Sequence, residues 1–166
     1  MAIERTFSGN GMKSLAVFSE DGKHRYALER SWSPEKGKVV FIGLNPSTAD
    51  EMKNDPTVSR MISFSKSWGF GEIGVCNLFS FRATFPEDMK KFRDPVGAEN
   101  DFYIAREISD ADRVVACWGN HGKFLNRSSE VTNALGRFEH FGFTKQGEPR
   151  HILYLRSDSP LEIFQL

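Results

Sequence analysis

Four short stretches of the chain place amide, hydroxyl and charged side chains directly after an apolar run. Such a composition can hold a flat polar ligand, because a few fixed polar groups orient it while apolar neighbours exclude water. Asn45 is the most distinctive residue, since Gly43 allows close backbone approach and Pro46 stiffens the turn that directs the Asn45 amide. The four stretches are Gly43 to Thr48, Asn77 to Arg82, Trp118 to Lys123 and Arg156 to Leu161.

Three residues in or near these stretches are candidates for catalysis. Asn45 can orient a water molecule, Asp50 can accept a proton from it, and His121 can act as a general acid or as an anion contact at a helix start. Each has a simpler alternative, because Asn-Pro-Ser-Thr is also a turn or helix-capping sequence, Asp50 can be a solvated surface carboxylate, and His121 can merely cap a helix. The coincidence of four polar strand ends favours the functional interpretation.

The other candidates would bind the ligand. Phe79 and Phe81 could stack on a nucleobase while Asn77 and Arg82 read its edge, although such phenylalanines also serve as core residues. Asp55 is the second choice as a general base, and its simpler role is to cap the helix that follows. The expected binding set is Gly43, Leu44, Pro46, Ser47, Thr48, Asp55, Asn77, Phe79, Phe81, Arg82, Gly119, Asn120 and Ser159.

An α/β fold would bring these stretches to one place. The segments 38–44, 72–79, 112–119 and 150–155 are apolar almost throughout, which is typical of parallel strands covered on both faces by helices. Ligands bind beyond the carboxyl ends of such strands, where the polar stretches begin. We therefore predict a three-layer α/β/α sandwich with a central, mainly parallel four-stranded sheet and a cleft at its carboxyl edge.

Helix and hairpin signals fill the remaining chain. Asp55-Pro56 marks the start of a helix, which Gly69 ends. Further helices are expected over about 97–108 and 121–135. An N-terminal β-hairpin over residues 14–32 is indicated by Asp21-Gly22 between two apolar runs.

Length and composition limit the possible classes of protein. The 166 residues suit a single domain over 1–166, and the N-terminus lacks a secretory signal, so we expect a cytoplasmic protein without a membrane contact. Formal charge is zero, with 22 basic and 22 acidic residues, which argues against tight non-specific binding to duplex DNA. Cys76 and Cys117 lie in apolar runs and are expected to be buried reduced thiols.

No metal or cofactor is expected. His24, His140 and His151 show no spacing typical of metal ligands, and we assign them no chemistry. A Walker-type phosphate loop is excluded, since no Gly-Lys-Ser/Thr follows Gly43 at the required spacing.

Several of these stretches carry a family resemblance. Gly43-Leu44-Asn45-Pro46 resembles the first motif of the uracil-DNA glycosylase superfamily, and the resemblance implies that Asn45 positions a catalytic water. Trp118-Gly119 is similar to a Leu-Trp-Gly segment of that superfamily, and Ser159-Pro160-Leu161 to the end of its second motif. More closely, the chain resembles the prokaryotic and phage family called domain of unknown function 1643, through RYALERSW, FIGLNPSTAD, DPTVSR, NLFSFRAT, DPVGAEND and WGNHGK.

One departure from the superfamily pattern leaves the activity open. Ser157 stands where the glycosylases place a histidine or asparagine that stabilises the departing base, and His121 or Arg82 would have to substitute. Two functions therefore remain: hydrolysis of the N-glycosidic bond of a nucleobase in DNA or a nucleotide, or nucleobase binding without chemistry. Either implies a nucleobase-containing partner, such as a nucleotide or single-stranded DNA, and neither predicts an oligomeric state.

Overall fold

The computed structural model describes residues 1–166 and places one eight-stranded mixed sheet at the centre of the protein. The strands are β1 (Ala2–Gly9), β2 (Met12–Ser19), β3 (Arg25–Ser31), β4 (Lys38–Gly43), β5 (Glu72–Asn77), β6 (Arg113–Ala116), β7 (Arg137–His140) and β8 (Glu162–Gln165). The helices are α1 (Pro56–Ser67), α2 (Pro86–Lys91), α3 (Asn100–Ser109) and α4 (Arg127–Leu135). The α/β class is confirmed, and none of these helices is long and apolar enough to cross a membrane.

Strand β4 is apolar on both faces because both faces are covered. Val39 and Phe41 belong to an apolar cluster that includes the inward residues of α1, whereas Val40 and Ile42 belong to a second cluster that includes residues of α3 and α4. Successive residues of a strand point to opposite faces, so the two clusters lie on opposite sides of the sheet. The continuous apolar run at residues 38–42 is explained by this double burial.

The strand order makes β4 the point at which the chain reverses direction across the sheet. The order is β1-β2-β3-β5-β4-β6-β7-β8, so the connection through α1 leads to a neighbour on one side of β4 and the connection through α3 leads to a neighbour on the other. Both neighbours, β5 and β6, run parallel to β4. A crevice forms beyond the carboxyl end of a strand at such a switch point, which is where Asn45 follows β4.

The predicted N-terminal hairpin is present, and it is part of a larger antiparallel unit. Strands β2 and β3 pair antiparallel across the Asp21-Gly22 turn, and β3 pairs with β5. Strand β1, which was not predicted, adds a further antiparallel strand through a turn at Asn10 and Gly11. The sheet therefore has four antiparallel and three parallel neighbouring pairs instead of the four-stranded sheet expected.

The predicted strand at 150–155 is wrong. This segment forms turns, and the strand parallel to β6 is β7 instead. Of the apolar residues in the segment, Ile152 is buried, whereas Tyr154 is 93% exposed and has a φ of 69°, which is incompatible with a strand. The apolar run HILYL therefore covers the edge of the core with a turn rather than pairing with a neighbour.

The first two predicted helices are confirmed as α1 and α3, but the third is only partly correct. The region 120–126 forms a 3₁₀ segment whose backbone is non-helical at Phe124 and Leu125, and α4 begins only at Arg127. Leu125 and Asn126 both have positive φ angles, which interrupts helical hydrogen bonding. Helix α2, which begins at Pro86, was not predicted.

Both cysteines are free and buried, as expected. Cys76 packs with α3 and α4 on one face of the sheet, and Cys117 packs with α1 on the other. Burial raises the pKa of both thiols, that of Cys117 to about 12. The two residues therefore act as small apolar core residues rather than as reactive thiols.

A buried ion cluster at the amino end of β4 lies at the opposite end of the strand from the polar stretch. Lys38 Nζ is 2.8 Å from Glu107 and 3.2 Å from both Glu29 and Asp110. Burial would lower the pKa of Lys38, but the Glu107 and Glu29 carboxylates outweigh it and raise the pKa. Burial and the neighbouring Glu29 raise the pKa of Glu107 to about 8 although Lys38 opposes this, because one ammonium cannot neutralise several carboxylates.

We expect Lys38→Met to lower the free energy of unfolding by about 3 kcal/mol at pH 8, because Glu107 would lose its buried counter-charge. The folded-state pKa of Glu107 lies above its ordinary value of 4.5, so the folded protein binds more protons than the unfolded chain between pH 4.5 and 8. The free energy of unfolding should thus rise as pH falls through this range, and the loss in Lys38→Met should be smaller at pH 5.

Urea unfolding of the wild type and Lys38→Met at pH 8 and pH 5 measures this difference. The double variant Lys38→Met/Glu107→Leu removes both charges and should recover most of the lost stability. An equal loss at the two pH values would show that packing, not charge, is what Lys38 contributes.

Candidate functional site

A cleft of about 620 Å³ opens at the carboxyl ends of β4, the switch-point strand, and its neighbour β6. Its walls come from the residues after these strands, from the start of α1 and from the loop before α2. The lining residues are Leu44, Asn45, Ser47, Thr48, Asp55, Pro56, Thr57, Ala83, Thr84, Pro86, Trp118, Gly119, Asn120, His121, His151 and Leu153. The cleft therefore lies where the sheet topology places it.

The Asn45 side chain is held in one orientation. Its Nδ2 donates to the carbonyl oxygen of Ala83 at 2.7 Å and to that of Pro46 at 3.2 Å. Carbonyl oxygens only accept hydrogen bonds, so the amide nitrogen must face them and the amide oxygen must face away. Asn45 Oδ1 has no hydrogen-bond partner within the protein and can accept a hydrogen bond from a water or ligand in the cleft.

Asp55 caps α1 and faces the same cleft. Its Oδ1 accepts a hydrogen bond of 2.8 Å from the Val58 amide, and Pro56 occupies the first helical position, where a proline loses no helical hydrogen bond. The second carboxylate oxygen has no hydrogen-bond partner in the protein, although the residue is only 8% exposed. One oxygen thus serves the fold while the other remains available to a ligand or a water.

His121 lies on the wall formed by the chain after β6. Its Nδ1 is 2.9 Å from the ammonium of Lys90 on α2. An ammonium can only donate, so Nδ1 is the acceptor and a neutral His121 carries its proton on Nε2. The structure therefore provides a ring N–H donor at the predicted position.

His151 is a cleft residue that the sequence did not reveal. Its Nδ1 accepts a hydrogen bond of 3.1 Å from the Leu153 amide, which places the proton of the neutral ring on Nε2. Partial desolvation beside the cleft lowers the pKa of His151, which is an exposed residue, and the Asp55 carboxylate opposes this shift. The segment that carries His151 is joined to the site by a hydrogen bond from the Gly119 amide to the Pro149 carbonyl. Because these two residues are distant in the sequence, no local motif predicts this contact.

A smaller cavity of about 50 Å³ lies beneath the cleft and shares Asn45, Asp55 and His151 with it. Its walls include Gly43 and Asn77 at the ends of β4 and β5. The end of β5 is fixed by Asn100, whose Nδ2 donates to the carbonyl oxygens of Asn77 at 2.9 Å and Leu78 at 3.1 Å. We call this space the inner cavity.

The predicted site residues divide between these two spaces, with five exceptions. Those lining the cleft are Leu44, Asn45, Ser47, Thr48, Asp55, Gly119, Asn120 and His121. Those lining the inner cavity and not the cleft are Gly43, Pro46 and Asn77. No group of three or more His, Cys, Asp or Glu side chains lies together in a way that could hold a metal ion.

Asp50, the first choice as a general base, lies outside the cleft. It lines a neighbouring surface depression with Arg82, and its Oδ1 accepts hydrogen bonds from the Met52 and Lys53 amides at 2.8 and 2.9 Å. Partial burial would raise its pKa, but these two amides outweigh burial and lower it. Asp50 is therefore a turn-stabilising carboxylate and a weak base, and Asp55 takes its place in the cleft.

The expected stacking residues do not reach the cleft. Phe79 is fully buried and packs against Phe124, 5.7 Å between ring centroids. Phe81 stacks on Phe92 at 3.9 Å, on the side of the sheet end that faces the β2–β3 turn. Both rings are used in the core, so the prediction that one of them forms a pocket wall is wrong. Ser159 also lies outside, in the turn that follows Arg156.

Comparison with known proteins agrees with one of the two resemblances. A family model described as Protein of unknown function (DUF1643) matches residues 25–153, which is most of the chain. The chain belongs to this family. The family description states no activity, and no protein with a curated description matches the chain.

A search of solved structures adds little to the DUF1643 assignment. A putative hydrolase from Agrobacterium vitis S4 is 10% identical to this chain, with 99% of this chain and 68% of that chain covered and a TM-score of 0.28. This likeness is too low to carry an argument about fold or activity. The uracil-DNA glycosylase resemblance finds no support in these matches and stays a hypothesis.

We expect the capping and cleft roles of Asp55 to separate in two substitutions. Asp55→Ala should lower the free energy of unfolding by about 1 kcal/mol, because the Val58 amide loses its acceptor. Asp55→Asn should stay within a few tenths of a kcal/mol of the wild type, because asparagine is an equally good cap. Thermal and urea unfolding of the two variants measure the difference, and equal losses would show that the carboxylate charge itself stabilises the fold.

Proposed function

We propose that this DUF1643 protein binds a nucleobase-containing ligand in the cleft and hydrolyses its N-glycosidic bond. The observation that carries the proposal is the pairing, in one cleft, of two unoccupied acceptors: Asn45 Oδ1 and the second carboxylate oxygen of Asp55. Two such acceptors can hold both hydrogens of one water molecule. The resemblance of Gly43 to Pro46 to the first glycosylase motif supports the same assignment.

A uracil-DNA glycosylase-like three-layer sandwich belongs to this proposal. The apolar clusters on both faces of β4 and the parallel strands around it support such an arrangement. The antiparallel strands β1 to β3 would then be an addition to the side of β5. Asn45 at the carboxyl end of the switch-point strand corresponds to the place where a ligand is expected in an open α/β sheet.

The reaction assigns one task to each of three side chains. Water held by Asn45 attacks the sugar carbon of the glycosidic bond, and Asp55 accepts the proton that the water loses, because an amide cannot do so at neutral pH. The bond to the base nitrogen breaks, and the electron pair leaves with the base. His121 can donate a hydrogen bond from its Nε2–H to the departing base, and the proton that Asp55 took from the water can then neutralise the released base. The products are the free base and a sugar with a new hydroxyl group.

The charge of the site favours a small or single-stranded substrate. No lysine or arginine is among the residues that line the cleft, and the whole chain has a formal charge of zero. A duplex substrate would require the base to leave the stack at a cost of a few kcal/mol, which cations on the DNA backbone normally help to offset. We therefore expect nucleosides, nucleotides or single strands to be preferred over duplex DNA.

A second candidate is nucleobase binding without catalysis. The observation that favours it is the position of Ser159, which lies outside the cleft together with the rest of the segment that resembles the second glycosylase motif. Loss of a charge-stabilising donor from that segment would cost about a hundredfold in rate unless another group replaces it.

The test is an assay for released base with purified protein on nucleosides, nucleotides and uracil-containing single-stranded DNA. We expect Asn45→Ala and Asp55→Asn each to lower turnover by about a hundredfold or more, because they remove water positioning and the general base. Asp55→Asn keeps the helix cap, so its effect would be on chemistry and not on folding. Asp50→Asn is the matched control, since it neutralises a carboxylate of the same loop outside the cleft.

The outcomes separate the two candidates. Binding of one ligand class without base release would favour the binding module. Turnover that survives both Asn45→Ala and Asp55→Asn would remove the proposed water site from the mechanism, and a loss confined to Asp50→Asn would return the role of base to that residue.

A further inference from the structure

Arg25 is a buried cation with very little to bind. The residue is 2% exposed at the start of β3, and its Nη1 donates to the Ala49 carbonyl at 3.0 Å. Its Nε is buried and has no hydrogen-bond partner, and no carboxylate lies within ion-pair distance of the guanidinium. A buried charge without a partner is costly and therefore uncommon in a folded protein.

The other two buried arginines, Arg30 and Arg127, have hydrogen-bond partners for their buried N–H groups. Arg30 donates to the Asn54 side chain and to the carbonyl oxygens of Glu29, Asp50 and Lys53. Arg127 donates to the Leu78 carbonyl at 3.0 Å and forms an ion pair of 2.9 Å with Asp101. Arg25 differs from both in having a buried N–H donor without a hydrogen-bond partner, and unlike Arg127 it has no ion-pair partner.

Arg25 lines a space that a ligand can enter. Arg25 lines the inner cavity, and so does Asn77, whose Oδ1 is also buried without a hydrogen-bond partner. The inner cavity of about 50 Å³ shares Asn45, Asp55 and His151 with the cleft above it. A cavity of this size accommodates a few non-hydrogen atoms, such as a small oxyanion or the edge of a ring that enters from the cleft.

The electrostatic surroundings keep this position positive. Burial lowers the pKa of Arg25 to about 10, with Asp55 opposing the shift and Arg82 and Arg30 adding to it. The guanidinium is therefore still a cation at neutral pH. Since Arg25 and Asp55 are too far apart to pair, the positive charge remains available to a ligand.

We infer that the inner cavity is an anion subsite. In it, Arg25 donates a hydrogen bond to a ligand oxygen that carries negative charge, and Asn77 Oδ1 accepts a hydrogen bond from the ligand group next to that oxygen. The ligand must therefore present an acidic oxygen-containing edge. That edge belongs either to the nucleobase of the proposed function or to a free small oxyanion. The first source rests on the proposed function, and the second does not.

If the oxygen-containing edge belongs to a nucleobase, the subsite selects one class of base. A keto oxygen next to a ring N–H, as in uracil, hypoxanthine and xanthine, offers an acceptor to Arg25 and a donor to Asn77 Oδ1, and the oxygen gains negative charge when the base takes the electron pair of the broken glycosidic bond. Cytosine and adenine have a neutral ring nitrogen and an amino group in the corresponding positions and cannot concentrate charge on an oxygen there. Arg25 therefore favours keto bases, and it would also stabilise the charge that builds on such a base as it departs.

The experiment has one arm for each source. In the first arm, sodium nitrate and sodium formate are titrated at constant ionic strength, and the melting temperature is followed. In the second, calorimetry measures binding of uridine, inosine and xanthosine against cytidine and adenosine. The variants are Arg25→Gln, Arg25→Lys and Asn77→Asp, and Arg106→Gln is the control because it removes one exposed cation from α3.

We expect the wild type and Arg106→Gln to respond alike in at least one arm. Arg25→Gln should weaken that binding about tenfold to a hundredfold, the range for a hydrogen bond to a charged group, while Arg25→Lys should retain part of it. Asn77→Asp preserves the shape of the cavity and adds a negative charge to it, so it should also lose binding even if Arg25→Gln folds poorly.

The results distinguish this inference from the proposed function. Nitrate or formate binding that depends on Arg25 and Asn77, with no nucleoside binding, would support the subsite and count against the proposed function. Keto-nucleoside binding with the same dependence would support both. Nucleoside binding that is indifferent to base class and to all three variants, or no response in either arm, would overturn the subsite.

Discussion

The candidate site depends on two arginines of β3 that hold the backbone of the loop after β4. This loop, residues 44–55, contains no helix or strand, so its carbonyl groups need partners from elsewhere. Arg25 binds the Ala49 carbonyl, and Arg30 binds those of Asp50 and Lys53. A buried carbonyl without a partner costs about 1–3 kcal/mol, so these guanidiniums replace the hydrogen bonds of regular structure. Asn45 and Asp55, at the two ends of the loop, are positioned as a result.

This arrangement gives the N-terminal antiparallel strands a role in the site. Strand β3 pairs with β5 and so brings its arginines against a loop that follows β4, one strand further into the sheet. The DUF1643 match begins at Arg25, the first residue of β3, and leaves β1 and β2 outside it. Strand β3 is thus part of the unit that builds the cleft, whereas β1, which is exposed along nearly its whole length, extends the sheet away from it.

The sequence was informative where structure is local and misleading where it depends on distant chain. Asp55-Pro56 marks a helix start by its own chemistry, and doubly buried strands such as β4 need an apolar run wherever they lie. The polar strand β1 shows no such pattern, although Asn10 and Gly11, with φ angles of 54° and 72°, are a hairpin signal that could have been recognised. The run HILYL predicts a strand that is not there, because a covering turn and an edge strand can have the same composition. The same limit applies to the cleft, since His151 reaches it through a long-range backbone contact.

In the proposed reaction, the two unpaired charges of the site would act on the two different fragments of the breaking bond. Asp55 contributes a carboxylate at the cleft, and Arg25 contributes a guanidinium at the inner cavity beneath it, without an ion pair between them. Rupture of an N-glycosidic bond leaves positive charge on the sugar and negative charge on the base. A fixed pair of opposite charges stabilises that separation without reorganisation, provided that the sugar lies nearer Asp55 and the base nearer Arg25. The fold keeps the two charges from pairing because the carboxylate is tied to the start of α1 and the guanidinium belongs to β3 and binds the Ala49 carbonyl.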